Sequence, residues 1–351
     1  MKLEDIGFTE SLQQFRIEQN LDSFEVGRVI SEHKERYIVK TIEDEYEGEI
    51  IGQLRFTAES RADFPAVGDW VAISTYDETK ALIHAVYPRK TSIERRTAGK
   101  EGEKQIIATN IDVAFIMLAV DRDFNINRIE RYLTICHEAL VKPIILLNKI
   151  DLIPEEELNQ LLTSVKNRIR QVEIFAVSNA SKIGIKDLKD RLEKGKTYCL
   201  LGSSGVGKSS LLNQLSGQEH MKTNEISSST SKGRHVTSHR ELLLLENGAM
   251  VIDNPGMREV GIADSATGLE ATFDAIARHA VNCKFVDCKH ISESDCAVRT
   301  ALDQGELDLH VYENYLKMLK EKEHFESTLA ERRRKDKEFG KMLKNYKKER
   351  K

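Results

Sequence analysis

The octet Gly202-Ser203-Ser204-Gly205-Val206-Gly207-Lys208-Ser209 constrains the fold more than any other stretch, because of what flanks it. An apolar run, Thr197 to Leu201, leads in, and a helix-forming run opens at Ser210-Leu211-Leu212. Strand, glycine-rich turn and helix in that order build a phosphate-binding loop. The glycines let backbone N–H groups turn inward around phosphate oxygens, and the helix N-terminus adds partial positive charge. Lys208 is then expected to reach the β- and γ-phosphates, and the Ser209 hydroxyl to ligate Mg²⁺.

A phosphate loop does not choose the base. The candidate for that task is Asn148-Lys149-Ile150-Asp151, just past the apolar run Pro143 to Leu147. Ligands gather at that end of strands in open α/β sheets. A carboxylate there accepts two hydrogen bonds from the ring N–H and exocyclic amine of guanine, and adenine has no such donor pair. Alone, this four-residue pattern is weak. A further apolar run, Val172 to Val177, ends in Ser178-Asn179-Ala180, the place for a loop beneath the base, although Asn179 stands where a small residue is usual.

Asp253-Asn254-Pro255-Gly256 follows the run Met250 to Ile252 and fits a γ-phosphate sensor, Asp253 holding Mg²⁺ through water and the Gly256 N–H bonding a phosphate oxygen. The polar stretch Ser227 to Thr237 suits a switch loop, with Thr237 the candidate to close over Mg²⁺ and γ-phosphate. The order is anomalous. In ordinary small GTPases the phosphate loop comes first and the base-reading motif late, whereas here Asn148 precedes Gly202. Function depends on positions in space, so the same site can be assembled from a circularly permuted chain.

Apolar runs alternating with amphipathic helices from Ile111 onward predict a parallel sheet covered on both faces. Asn247-Gly248, between Leu242–Leu245 and Met250–Ile252, predicts a hairpin. Before this, from about Phe24 to Ile93, roughly five short β-branched runs suit a small barrel, an SH3-like one being an alternative topology. The basic stretch from Arg89-Lys90 to Lys100 reads as a linker, either touching phosphates or simply solvated. Beyond Gly268 the pattern is helical, with helices ending near Ala280 and spanning about Val298 to Leu329, then a basic tail, Arg332 to Lys351.

A chain of 351 residues exceeds what one core usually serves, which predicts two or three domains. No apolar run approaches a bilayer span and the N-terminus lacks a signal-like core, so a cytoplasmic protein without membrane association is expected. A net charge of -4 restricts any nucleic-acid binding to local patches. Three of the five cysteines fall between Cys283 and Cys296. Cys283, Cys288, His290 and Cys296 offer three thiolates and an imidazole, the set for one closed, structural Zn²⁺ site. Cys136 and Cys199 read as packing residues.

Taken together, these residues resemble the ribosome small-subunit-dependent GTPase A family (RsgA/YjeQ). The likeness is carried by Gln105-x-x-Ala108-x-Asn110-x-Asp112, Asn127-Arg128 with Arg131-Tyr132, the permuted motif order, Gly233-Arg234-His235-x-Thr237, Asp253-x-Pro255-Gly256 with Arg258-Glu259, and the metal cluster. It implies an α/β fold of three domains: an N-terminal OB-fold at 1–97, a circularly permuted P-loop GTPase core at 98–264, and a helical zinc domain with basic tail at 265–351. It also implies a monomer that assists late assembly of the 30S subunit, binds 16S rRNA, hydrolyses GTP to GDP when the subunit stimulates it, and then leaves.

Two departures stand out: Val236 where many members have Thr, and Glu293-Ser294-Asp295-Cys296 where Glu-Pro-Gly-Cys is common, an exchange expected to loosen that turn. Met257 occupies the position of the water-orienting glutamine of Ras-like enzymes, and a thioether cannot replace it. His235 is the candidate catalytic residue, its neutral imidazole holding the attacking water near pH 7; the alternative is RNA contact or packing. Two other functions compete: an RNA-binding module with incidental hydrolysis, and a P-loop kinase or ATPase, which Asn148, Lys149 and Asp151 disfavour.

Overall fold

The computed structural model describes residues 2–33, 35–96, 104–121, 124–217, 240–253 and 266–323. After a 3-10 turn at Leu3–Ile6 and helix α1 (Glu10–Glu18), the β-branched runs become β1 (Glu25–His33), β2 (Arg36–Lys40), β3 (Glu45–Ile50), β4 (Trp70–Asp77) and β5 (Lys80–Val86). Helix α2 (Gly52–Thr57) lies between β3 and β4. Strand neighbours run β1-β2-β3-β5-β4, and β4 pairs back onto β1, closing a five-stranded barrel of OB-like topology. Only the β3–β5 pair is parallel among these. A parallel pair needs a long crossover, and the segment carrying α2 and β4 provides it. Alternate residues point inward, so Tyr37, Val39, Val71, Ile73 and Ile83 fill the barrel.

The described part of the basic stretch after β5 is not a linker. Arg89 clamps the fully buried carboxylate of Asp69, with Nη2–Oδ2 at 2.6 Å and Nε–Oδ1 at 2.8 Å, and also donates to the carbonyls of Ala62 and Phe64. A buried carboxylate demands a cation, and Arg89 is held for that reason. The chain continues as β6 (Ser92–Arg96), paired with β7 (Lys104–Thr109).

Next come β8 (Val113–Ala119), α3 (Ile126–Glu138), β9 (Lys142–Asn148), α4 (Glu155–Arg168), β10 (Glu173–Ala176), α5 (Ile185–Asp190), β11 (Thr197–Leu201), α6 (Lys208–Ser216), β12 (Arg240–Leu244) and β13 (Met250–Asp253). Their order in the sheet is β10-β9-β8-β11-β13-β12. The first five are parallel, and β12 is antiparallel to β13, with Gly248 turning the hairpin at φ +81. Successive side chains of β8 go to opposite faces: Ala114, Ile116 and Leu118 join one core with Ile129 and Leu133 of α3, while Phe115 and Met117 join another with Leu211 and Leu212 of α6. Burial on both faces explains why these strands read as continuous apolar runs.

β12 also pairs with β1, at Ser31–Glu241 and Glu32–Arg240, so barrel and parallel sheet are continuous. Arg28 secures the joint. Its guanidinium, buried with the residue at 2% exposure, donates to the Ile6 carbonyl (2.7 Å), Thr197 Oγ1 (2.8 Å) and the Gly68 carbonyl (3.3 Å), and lies over the Trp70 ring.

The chain forms two compact units, Met1–Arg95 with Lys104–Val260, and Arg96–Glu103 with Gly261–Lys351. In the second, α7 (Ala266–Thr272), α8 (Asp274–Ala280), α9 (Ala297–Asp303) and a helical stretch at 309–323 pack around Leu269, Phe273, Ile276, Val298 and Met318. The single helix expected from Val298 is therefore broken. Gly305 adopts φ +74, ending α9, and Asp308 Oδ1 accepts from the N–H groups of His310 and Val311, starting the next helix. The tail expected at Arg332 to Lys351 lies outside the described residues.

Candidate nucleotide site and metal centre

From β8 the chain steps outward to β9 and β10, then returns to the other side of β8 as β11. The connections diverge between β8 and β11, and the crevice at the carboxyl ends of such strands is where ligands bind. The phosphate loop starts there. Gly202 has φ +151, and a Cβ on it would lie 2.5 Å from the Met117 carbonyl oxygen. Gly207 has φ +98, and a Cβ there would run into the amides of Asn148 and Asn179. Only glycine serves at either position.

Lys208, first residue of α6, donates through Nζ to the carbonyls of Gly202 and Ser203, each at 2.8 Å. Burial holds its ammonium below the usual lysine range, with the Asp253 carboxylate opposing that shift. Asp253 ends β13, 2% exposed and paired in register with Leu200 of β11, just before the loop. The buried Asp253 carboxylate acts electrostatically on Lys208, the residue before Ser209, and a carboxylate and a hydroxyl are hard oxygen groups of the kind that suit Mg²⁺, directly or through water.

The base-reading motif packs against this loop. Asn148, 1% exposed at the end of β9, donates through Nδ2 to the Val206 carbonyl at 2.7 Å. Asn179 donates through Nδ2 to the Gly207 carbonyl at 2.9 Å, and through its backbone N–H to Asn148 Oδ1 at 3.3 Å. The Ser178 hydroxyl donates to Asp151 Oδ1, and Ser178 Oγ accepts from the Ser181 N–H at 3.0 Å. Lys149 sits in the left-handed region at φ +66 with its Nζ 2.8 Å from Asp121 Oδ2. The structure thus brings Asn148, Lys149, Asp151, Ser178 and Asn179 together with Gly202 to Lys208. Ser204 and Ala180 are exposed, and Ser209 and Ser210 are half-buried. His235, Thr237 and Gly256 lie outside the described residues.

Two neighbours had no role assigned from sequence. Asp121, just past β8, partners Lys149, and nothing in its local sequence marks it. Tyr132 of α3, buried, hydrogen-bonds Ser203 of the phosphate loop, and burial raises its phenol above the usual range. Arg131-Tyr132 had appeared only as part of a motif.

In the second unit, the ligand atoms of Cys283, Cys288, His290 and Cys296 all lie within 4.8 Å of one another. His290 Nδ1 is 3.6 Å from Cys283 Sγ and 3.5 Å from Cys296 Sγ, and those two sulfurs are 3.9 Å apart. Ligands of a tetrahedral zinc at ordinary bond lengths stand about 3.6 Å (N to S) and about 3.8 Å (S to S) apart, so the cluster could hold one zinc ion. The loop is well braced: Tyr312 donates to the His290 carbonyl at 2.6 Å, and the Glu293 carboxylate accepts from the N–H groups of Lys289, Ile291 and Ser292. Those N–H donors hold the Glu293 carboxyl down at about 2. In the turn before Cys296, Asp295 takes φ +55, which its short polar side chain tolerates, and makes an exposed ion pair with Lys284 at 2.8 Å.

Fold and site together define a P-loop nucleotide-binding protein of circularly permuted order, its base-reading strand preceding its phosphate-loop strand. The RsgA GTPase family model matches residues 86–263, and the chain belongs to that family. An ABC transporter model also matches residues 185–348, which includes the phosphate loop and omits Asn148 to Asp151. The small ribosomal subunit biogenesis GTPase RsgA 1 of Bacteroides thetaiotaomicron is 38% identical over 344 residues, covering 97% of this chain and 96% of its own. The protein called small ribosomal subunit biogenesis GTPase RsgA in Opitutus terrae is 40% identical, with 92% and 90% covered. Among solved structures, YjeQ from Thermotoga maritima aligns with a TM-score of 0.63 at 25% identity, over 85% of this chain and 98% of that one. YloQ, described as a circularly permuted GTPase, aligns at 0.61 and 21% identity over 86% and 96%, a likeness of fold. No helix among the described residues is long and apolar enough to cross a membrane.

Proposed function

We propose that this chain is a GTP hydrolase that serves late assembly of the small (30S) ribosomal subunit, contacts its 16S rRNA, and leaves on subunit-stimulated hydrolysis. The observation that carries the reading is the pair of bonds from Asn148 and Asn179 to the carbonyls of Val206 and Gly207. They support a reading in which Asp151, three residues after Asn148, takes the guanine of a nucleotide whose phosphates lie in the glycine-rich loop, despite the reversed order. The names of the relatives support the subunit as partner.

In this reading the backbone of Gly202 to Ser210 cradles the phosphates, Lys208 turns from its carbonyl partners to the β- and γ-phosphates, and Asp151 accepts from guanine above Ser178 to Ala180. Mg²⁺, held by Ser209 and Thr237 and by Asp253 through water, would neutralise charge on the phosphates. Gly256 senses the γ-phosphate, and His235 orients water, since Met257 cannot. One zinc on Cys283, Cys288, His290 and Cys296 is structural in this reading, because four protein ligands would fill its tetrahedron and leave no position for water or substrate. The division at 1–97, 98–264 and 265–351, a monomeric state and a cytoplasmic location complete the proposal.

The test is GTP hydrolysis with and without purified small subunits. The reading expects slow turnover alone, a marked rise with subunits, and loss of that rise in His235→Ala with GTP affinity retained. Rapid turnover by the isolated chain, or no response to subunits, contradicts it.

A further inference from the structure

The loop after β10 carries Asn179 where a small residue is usual beneath a guanine base, and its side chain is engaged. Nδ2 donates to the Gly207 carbonyl at 2.9 Å, one residue beyond the Val206 carbonyl that Asn148 holds. Two consecutive carbonyls of the phosphate loop are thus held by asparagines from two different base-reading loops. Gly207 accommodates this closeness, since a Cβ on it would meet Asn179 Nδ2 at 2.8 Å. Among the described residues, buried Asn179 Oδ1 has no hydrogen-bond partner. Turning the amide over would set that oxygen against the Gly207 carbonyl, so the amide has one workable orientation.

The same loop holds the specificity group. Ser178, adjacent to Asn179, donates to Asp151 Oδ1, and its oxygen is fixed by the Ser181 N–H at 3.0 Å. A continuous path of bonds therefore runs from the phosphate loop through Asn179 and Ser178 to the carboxylate. We propose that Asn179 is a positioning residue for guanine selection, its clasp on Gly207 fixing the base loop so that Asp151 faces both donors of the base. The inference deepens the proposed function and rests on its guanine site.

Inosine diphosphate lacks the exocyclic amine of guanine, so the ratio of GDP to IDP affinity reports the second Asp151 bond alone. Calorimetric titration of the full chain compares the wild type, Asn179→Ala and Asn179→Ser, each checked for folding by a thermal melt; the serine variant, too short to reach Gly207, serves if the alanine variant does not fold. The wild type is expected to prefer GDP, and both variants to lose roughly tenfold of that ratio, the scale of one hydrogen bond in a partly buried site. A role confined to holding the loop together would weaken GDP and IDP by the same factor. A ratio unchanged in the variants overturns the role of Asn179 and leaves the guanine site standing. A wild-type chain that binds neither nucleotide overturns both.

Discussion

Asn148 Nδ2 lies 2.7 Å from the Val206 carbonyl oxygen, joining residues 58 positions apart in the chain. That contact makes the permuted order workable, because β9 delivers the base-reading motif to the phosphate loop that follows β11. The bond count is small, so neighbouring residues that hold the geometry carry measurable weight.

Lys149 is one such residue, its ammonium 2.8 Å from Asp121 at side-chain exposures of 24% and 31%. Asp121→Ala is expected to weaken GDP binding by about three- to fivefold at low salt, with a smaller effect at high salt, as suits a partly exposed pair. Titration with a fluorescent GDP at two ionic strengths checks this; equal losses at both speak for a packing role instead.

Arg28 tests how barrel and sheet are joined. Burial pushes its guanidinium down to about 10, so it remains charged at neutral pH. Arg28→Met takes the donor from the Ile6 carbonyl and the Thr197 hydroxyl, while the Gly68 carbonyl keeps its bond from Asn110 Nδ2 at 3.0 Å. A loss of about 3 kcal/mol or more is expected in denaturant unfolding, and a loss below about 1 kcal/mol contradicts this role.

His137, in the last turn of α3, gives a pH dependence. Burial lowers its pKa below the unfolded value of 6.5. Between the folded and unfolded values the unfolded chain binds more protons, so stability rises with pH there. The neutral imidazole's contribution is therefore complete above about 6.5 and is lost as pH falls from there towards the folded pKa. Urea midpoints at pH 7.5 and 5.5 should fall more steeply for wild type than for His137→Gln; parallel falls contradict the assignment.

The cysteine cluster predicts about one zinc per chain in freshly purified protein. Cys288→Ser should lower that content and reduce the melting temperature of the second unit by roughly 5 °C or more. Elemental analysis with calorimetry decides. A variant with unaltered zinc and stability removes Cys288 from the site.

The motifs legible in the sequence are short runs of neighbouring residues: Gly202 to Ser209, Asn148 to Asp151, and Cys283 to Cys296, and the structure brings the residues of each together. Strands of the parallel sheet were also legible, since burial on both faces leaves unbroken apolar runs. Partners distant along the chain were not. Arg89 reads as part of a linker because Asp69, which fixes it, lies 20 residues earlier. Arg28, Asp121 and Tyr132 act through tertiary contacts that no local pattern announces. The break at Gly305 was written in the sequence as a glycine followed by a capping Asp308, and helical periodicity on both sides masked it.

In the proposed function Asp151 and Lys208 act on one guanine nucleotide. A carboxylate at 151 accepts from the two donors of guanine, whereas a carboxamide there can donate to the 2-oxygen of xanthine. Measuring GDP and XDP affinity for wild type and Asp151→Asn therefore tests it most directly. The preference is expected to invert, with XDP bound more tightly by the variant; a variant that still binds GDP as the wild type does removes Asp151 from the base site.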